Sequence, residues 1–356
     1  LLAASLSAQV LARTFPGRVE ALFSEGLYPR LGGIMGRAAG LLPFSLAEGL
    51  VLGAAFFVTG TAVRSLVRVC RGQAKVPSVL AAWAANGVLI TGTGYGLFVL
   101  LWGLNYARPP LASLARLPVA PARAPELADL AADLVDRSNR ARVGLSEDAS
   151  GAMRIDGSFR AVADRVAVGY AAATATLPLL SGSSARPKPV FLSSLLSRVG
   201  ITGIYFPFTG EPNVNTTLPD ALLPFSAAHE VAHQRGFARE DEANYVGYLA
   251  CRLHPDADFR YSGLLAASHY ALAALHEVDP VAASRVQAGR SAAVLRDEAA
   301  VRAWLERYRG PANEAGRRVN DTYLKTQGQA EGVRSYGRMV DLLLAERRRS
   351  GTEPPR

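Results

Sequence analysis

Residues Val79 to Leu104 contain no charged side chain, and this run restricts the fold more than any other feature of the chain. About 20 helical residues at 1.5 Å each cover the roughly 30 Å hydrocarbon core of a bilayer, so the run is long enough to span it. A second apolar run, Ala47 to Leu66, is interrupted only by Glu48 at one end and Arg64 at the other. Trp83 lies near the start of the charge-free run and Trp102 and Tyr106 near its end, the positions of interfacial anchors. Gly92 and Gly96 form a small-residue face on which another helix can pack. The alternative is a pair of buried helices in a globular core.

Residues 1–14 are apolar until Arg13 and read as the end of a further span, with a signal-peptide remnant as the alternative. Because the chain starts at Leu1 rather than Met, a preceding piece is expected. The connector between the two clear runs carries Arg64, Arg68, Arg71 and Lys75 and no acid, which assigns it to the cytoplasm under the positive-inside rule. The expectation is a multi-pass protein of the bacterial cytoplasmic (inner) membrane. Its membrane region is 1–106: a partial span 1–14, an outer loop 15–46, and spans at about 47–66 and 79–104. Everything from about residue 107 onward then lies on the extracytoplasmic side.

Charge supports that division. Residues 1–104 hold 8 Lys and Arg against 3 Asp and Glu, which accounts for +5 of the formal net charge of +9. The basic excess is mostly juxtamembrane, so no nucleic-acid partner is inferred, and membrane lipid is the expected surroundings. A content of 49% apolar and 19% charged residues excludes disorder, and Cys70 and Cys251 are too few for a disulfide scaffold.

A Pro-rich connector, 107–125, has little helical capacity. Beyond it, Glu126–Arg142 and Ser158–Leu177 show helical apolar spacing. Pro189–Leu192, Ile201–Phe206 and Glu211–Thr217 are β-branched or aromatic runs broken by Gly and Pro, and read as three short strands. From Pro219 the pattern is helical almost to the end, and the Arg347-Arg348-Arg349 tail reads as a solvated helix end. The expected fold is mainly α with a small β-sheet: N-terminal transmembrane helices, then an α+β domain over 126–356.

Within 220–254 stands the sequence His229-Glu230-Val231-Ala232-His233. Helix positions i and i+4 project from one face, so both imidazoles can meet one ion, and Glu230 beside the first can take a proton from a metal-held water. The alternative is an ordinary histidine pair. A hydrolytic zinc needs a third protein ligand and one open position. Gly236 should end the first helix, and Glu240 opens a second. If the two helices fold back on each other, Glu240 faces His233 and Asn244 faces His229. Glu240 is then the expected third ligand, and Asn244 the hydrogen-bond partner of the far nitrogen of His229. Glu242 is the alternative ligand, although it lies about 200° round the helix from Glu240. The three acids could also serve only the helix dipole.

His229-Glu-x-x-His233 followed by Glu240-x-x-Ala243-Asn244 resembles the gluzincin pattern, with a shorter spacing between His233 and Glu240 than most gluzincins have. The metzincin third-ligand position falls on Arg239, which cannot bind zinc. The longer string Tyr205-Phe-Pro-Phe-Thr-Gly-Glu-Pro-Asn-Val-Asn215, then Pro224-Phe-Ser and the His-Glu motif through Asn244, resembles an uncharacterised bacterial membrane-protein family, domain of unknown function 3810. Tyr323-Leu-Lys-x-Gln-Gly-Gln329 and Ser335-Tyr336-Gly337 extend that likeness. The resemblance implies a membrane topology and a zincin-like core, and no substrate.

The expectation is a membrane-anchored zinc metallohydrolase, a peptidase acting on an unknown peptide or protein, with Zn²⁺ on His229, His233 and Glu240 and Glu230 as general base. Tyr336, Tyr323, His269 and Arg235 are candidate oxyanion donors. Asn213 and Asn215 are candidate substrate contacts if the strand before the motif is a sheet edge that pairs with substrate backbone. A non-catalytic envelope-ligand domain and a cell-wall amidase are the rivals.

Overall fold

A computed structural model describes residues 2–182 and 185–352. The N-terminal part comprises α1 (Leu2–Thr14), α2 (Pro16–Val19), a π-helical segment Glu20–Leu27, α3 (Tyr28–Gly40), α4 (Leu46–Cys70) and α5 (Val76–Leu101). Helices α4 and α5 are long and apolar enough to cross a membrane, and almost none of either is buried within the protein. The low burial is unlike that of globular-core helices: most of their residues are exposed, and only Ala47 on α4 and Gly92 and Val99 on α5 are buried. Both begin and end a few residues away from the expected limits, and a 3-10 turn, Gly103–Ala107, follows α5. Helix α1 packs along α5, where Gly96 leaves room for Ser5.

Residues 15–46, expected as a loop between spans, are largely helical despite Pro29, Gly32, Gly33 and Gly36. Glycine disfavours an isolated helix. Here it allows close packing: a Cβ on Gly36 would lie 3.0 Å from Gln234 Nε2 and 2.9 Å from Ala185 Cβ.

The rest begins with α6 (Leu111–Leu114), inside the Pro-rich stretch, and continues with α7 (Ala124–Arg142) and α8 (Phe159–Thr176). Helix α7 starts with Pro125 in its first turn and buries Leu127, Leu130, Ala131, Leu134 and Val135, the stripe its spacing dictates. The three strands are β1 (Lys188–Pro189), β2 (Gly203–Phe206) and β3 (Glu211–Val214), with α9 (Ser193–Arg198) between the first two. The order is β1-β3-β2, with β1 parallel and β2 antiparallel to β3. Strand β3 is therefore central, not an edge, and the long free edge belongs to β2. Helices α10 (Leu223–Gln234), α11 (Glu240–Arg252), α12 (Ala257–Val278), α13 (Pro280–Gln287), α14 (Ala292–Arg307), α15 (Pro311–Thr326) and α16 (Met339–Thr352) complete the chain.

Helix α12 is the hub of the main core, packed against α7, α10, α11, α13 and α16. Helices α8 and α11 approach so closely that a Cβ on Gly169 would lie 2.3 Å from the Ala250 carbonyl oxygen. Gly169→Ala is expected to lower stability by about 2 kcal/mol, read as earlier thermal unfolding in detergent, although alanine is the better helix former. A second cluster joins the N-terminal region to the sheet: Val19, Phe23, Tyr28, Trp102 and Tyr106 pack with Tyr205 and Ala238. The basic tail is not simply solvated. Arg348 pairs with Glu126 and donates to the carbonyls of Ala120 and Pro121, so it clasps the Pro-rich stretch.

Candidate metal centre

Helix α10 stops where Gly236 takes φ +85°. The N–H of Phe237 returns to the carbonyl of Ala232 and that of Gly236 to His233, a paired closure that satisfies the last carbonyls. This turn carries chemistry. It points the Phe237 carbonyl back at His233, whose Nδ1–H donates to it at 2.8 Å. With Nδ1 so engaged, Nε2 of His233 is the nitrogen that offers a lone pair once its proton is displaced.

That lone pair faces two other donors. His229 Nε2 lies 3.0 Å from His233 Nε2, and Glu240 Oε2 lies 3.3 Å from the first and 3.4 Å from the second. All three residues are buried, and among the described residues they form the one group of this kind. A tetrahedral zinc with bonds of about 2.0–2.1 Å sets its ligand atoms about 3.4 Å apart. Glu240 Oε2 accepts no aligned hydrogen bond, and two imidazole nitrogens facing a carboxylate oxygen at these separations suit a cation at their centre. Burial alone would push Glu240 up and His233 down. Each is instead held charged by the other, Glu240 at about 2 and His233 at about 9, so Glu240 is paired with positive charge on the histidines. The residues fit a zinc ion.

Glu230 is buried beside the cluster. Desolvation raises its pKa, against the pull of the two histidines, and the backbone N–H of Tyr205 on β2 favours its ionised form. A Cβ on Gly203 would sit 2.4 Å from Glu230 Oε1, so strand β2 passes the carboxylate at glycine distance. Gly203→Ala is expected to retain the metal and to displace Glu230, with at least a tenfold loss of any hydrolysis measured on the full chain.

Glu242 is turned away from the cluster. It accepts from Leu111 N at 2.8 Å and from Arg239 Nη1 at 3.0 Å, and so anchors the start of α6. Asn244 departs from expectation: Nδ2 donates to the Tyr336 carbonyl at 3.0 Å. Gly247 is the residue of α11 that lies against the His229 backbone, and His229 Nδ1 has no hydrogen-bond partner among the described residues.

The remaining candidates separate clearly. The Tyr336 ring stacks near His229, with centroids 6.4 Å apart, and burial followed by the Glu240 charge raises its pKa, so the phenol stays protonated. Tyr323 shares a hydroxyl contact of 3.1 Å with Tyr106, and both sense the Glu240 charge. Arg235 stacks on Tyr170 and donates to the Leu180 carbonyl, and His269 neighbours Tyr270 and Arg290; neither is brought to the cluster. Asn213 accepts from Ser45 Oγ at 2.6 Å and donates to the carbonyls of Glu211 and Ile204; it ties α4 to the sheet. Asn215 is fully buried on Ser197 and Ile201, so neither asparagine lines a cleft.

Several supporting residues carry no sequence signal for this role, and Trp102 and Tyr106, expected as interfacial anchors, are buried in the protein instead. Trp102 Nε1 donates to the His233 carbonyl at 2.9 Å, and Tyr28 Oη to that of Gln234 at 2.6 Å. Gln329 Oε1 accepts from Glu240 N at 3.2 Å, supplying the cap that the Arg239 side chain does not. Arg108 makes a two-pronged bond to Glu20 at 2.6 and 2.8 Å, donates to the Gly236 carbonyl and lies over the Phe237 ring. Removing one partner of a buried ion pair costs about 3–5 kcal/mol. Glu20→Ala should therefore destabilise the full chain by about 3 kcal/mol in denaturant titration and loosen the turn that orients His233.

The chain matches the family described as "Protein of unknown function (DUF3810)" over residues 23–344. It belongs to that family. The match takes in the N-terminal helices from Phe23, the His-Glu helix and the C-terminal Tyr323 and Tyr336 segments together, so all the groups around the cluster lie inside the family's extent. No curated protein and no solved structure matches the chain.

Proposed function

We propose that this DUF3810 member is a membrane-anchored zinc metallohydrolase that cleaves peptide bonds on the extracytoplasmic side. The observation that carries the reading is the triangle of His229 Nε2, His233 Nε2 and Glu240 Oε2, with edges of 3.0–3.4 Å and Glu230 alongside. His229, His233 and Glu240 would hold the ion. Zinc in such a site is a Lewis acid that polarises a carbonyl and lowers the pKa of its water to about 7. Glu230, shielded from solvent, receives the proton and hands it to the leaving amine. Tyr336 donates its phenolic hydrogen to the developing oxyanion.

Strand β2 supports a peptide substrate. Asn215 N–H bonds the Thr202 carbonyl, so along the antiparallel pair Ile204 and Phe206 face β3 while Gly203 and Tyr205 turn their backbone groups outward; the Tyr205 N–H is held by Glu230, which leaves the Gly203 N–H and the two carbonyls as what this edge offers. An extended chain can add there, beside Glu230. A metal-dependent amidase would use the same ligands without needing that edge. Two apolar helices of 25 and 26 residues, exposed over most of their surface, favour insertion in the cytoplasmic membrane, and the basic connector between them favours an outward-facing site. The test is zinc content and peptide hydrolysis of the purified full chain. About one zinc per chain with hydrolysis abolished by chelator is expected; properly folded protein without zinc would sink the reading.

A further inference from the structure

The triangle is joined to the end of one long apolar helix, and the sheet beside it to the start of the other. Helix α5 ends at Leu101, and the next residue, Trp102, bonds the His233 carbonyl and sets its ring edge-on to the His233 ring, centroids 5.9 Å apart. The ligand is thus one hydrogen bond and one side chain away from the end of a bilayer-length helix. Helix α4 starts on the sheet: the N–H groups of Leu46 and Ala47 donate to the Glu211 carboxylate, which strengthens the helix N-terminus, and Ser45 caps Glu48 N. The Glu48 carboxylate, in the first turn of α4, accepts the N–H groups of Phe191 and Leu192 at 2.8 Å each.

Those bonds fix the level of Phe191 relative to α4. If the roughly 20 residues before Arg64 cross the hydrocarbon, the outer boundary falls at about Leu46, which puts Glu48 and everything bonded to it at the lipid surface. Phe191 is 89% exposed, Leu195 on α9 55%, and Leu41 and Phe44, in the five residues before α4, 85% and 55%. Apolar side chains gathered in this way are costly in water, and a bilayer is already present at their level. No second protein surface is needed to cover them. Two charged groups beside the patch are satisfied inwardly, Glu48 by two backbone N–H groups and Lys188 by the Leu42 carbonyl, while Arg198 at the end of α9 is exposed, as suits a lipid headgroup.

Resting on the hydrolase reading above, we propose that the face formed by Phe191, Leu195, Leu41 and Phe44 lies in the lipid interface and holds the metal site at the membrane surface. The substrate class that follows is a segment of a membrane-borne polypeptide just outside the bilayer, not a freely soluble peptide. Such a segment is held at the level of the site by the bilayer and so is presented to β2 at high local concentration, an advantage a freely soluble peptide lacks.

Two measurements on the full chain in phosphatidylethanolamine and phosphatidylglycerol vesicles test this. For depth, a nitroxide is placed at Phe191→Cys and, as an aqueous reference, at Val143→Cys, both in a Cys70→Ser background; Cys251 is buried and unlabelled. The Phe191 label should be at least fivefold less accessible to a water-soluble nickel chelate than the Val143 label, and more accessible to oxygen. Equal access to the chelate at the two sites would overturn the lipid contact. For substrate class, a mixed-sequence decapeptide library is offered with an N-terminal palmitoyl chain and, separately, with an acetyl group. The acylated library should be cleaved at least tenfold faster at equal bulk concentration. Equal or faster cleavage of the acetylated library would overturn the membrane-borne substrate. No cleavage of either library by zinc-loaded protein would refute hydrolysis, and the substrate class with it, while the label depth would still decide the lipid contact.

Discussion

Glu230→Gln is expected to leave zinc bound and to lower peptide hydrolysis by about 10³-fold. The substitution preserves shape and keeps one acceptor oxygen for the Tyr205 N–H, so β2 and α10 should remain where they are. What is lost is the group that takes up a proton, and general-base contributions of about 10²–10⁴ set the size of the effect. The assay compares wild type and variant at equal zinc occupancy. Retained hydrolysis would remove Glu230 from the chemistry, and a variant that still performs the biological task without hydrolysis would favour the envelope-ligand reading.

The second large effect concerns metal retention. Glu240→Ala should weaken zinc binding more than 100-fold in chelator competition, because it removes one of the three proposed ligands and leaves two buried imidazoles alone. Glu242→Gln should keep the metal. Its carboxylate serves Leu111 N and Arg239, so the cost is structural, about 1–2 kcal/mol in unfolding. The reverse outcome, zinc lost with Glu242 and kept without Glu240, would require the two helices to meet in a different register.

How far the site was legible from the sequence depended on local geometry. A His pair at i and i+4, a Gly that must end the helix and an acid at the start of the next are close in sequence, and the fold brings His229, His233 and Glu240 within 3.4 Å of one another. Two of the three short strands were legible from their β-branched and aromatic runs; the first was displaced, since β1 is Lys188–Pro189 and the Val190-Phe191-Leu192 run that suggested it leads into a turn, and the strand order was not legible at all. The helical character of residues 15–46 was hidden by Pro29 and the Gly32, Gly33, Gly36 series, which argue against a helix until the tertiary contacts of Tyr28 and Gly36 with Gln234 are known. Asn244 was misassigned because the pairing assumed side chains in register, whereas Gly247 brings α11 against the His229 backbone. Trp102, Arg108 and Gln329 lie more than 85 residues from Glu240 or His233 and could be found only through the fold.

The most direct measurement is zinc K-edge X-ray absorption on the tag-free full chain loaded with one equivalent of zinc. The account predicts a four-coordinate ion with two imidazoles and oxygen ligands at about 2.0–2.1 Å and no sulfur. In Glu240→Ala that spectrum should be lost. A six-coordinate water shell in the wild type, or a wild-type spectrum unchanged by Glu240→Ala, would contradict it.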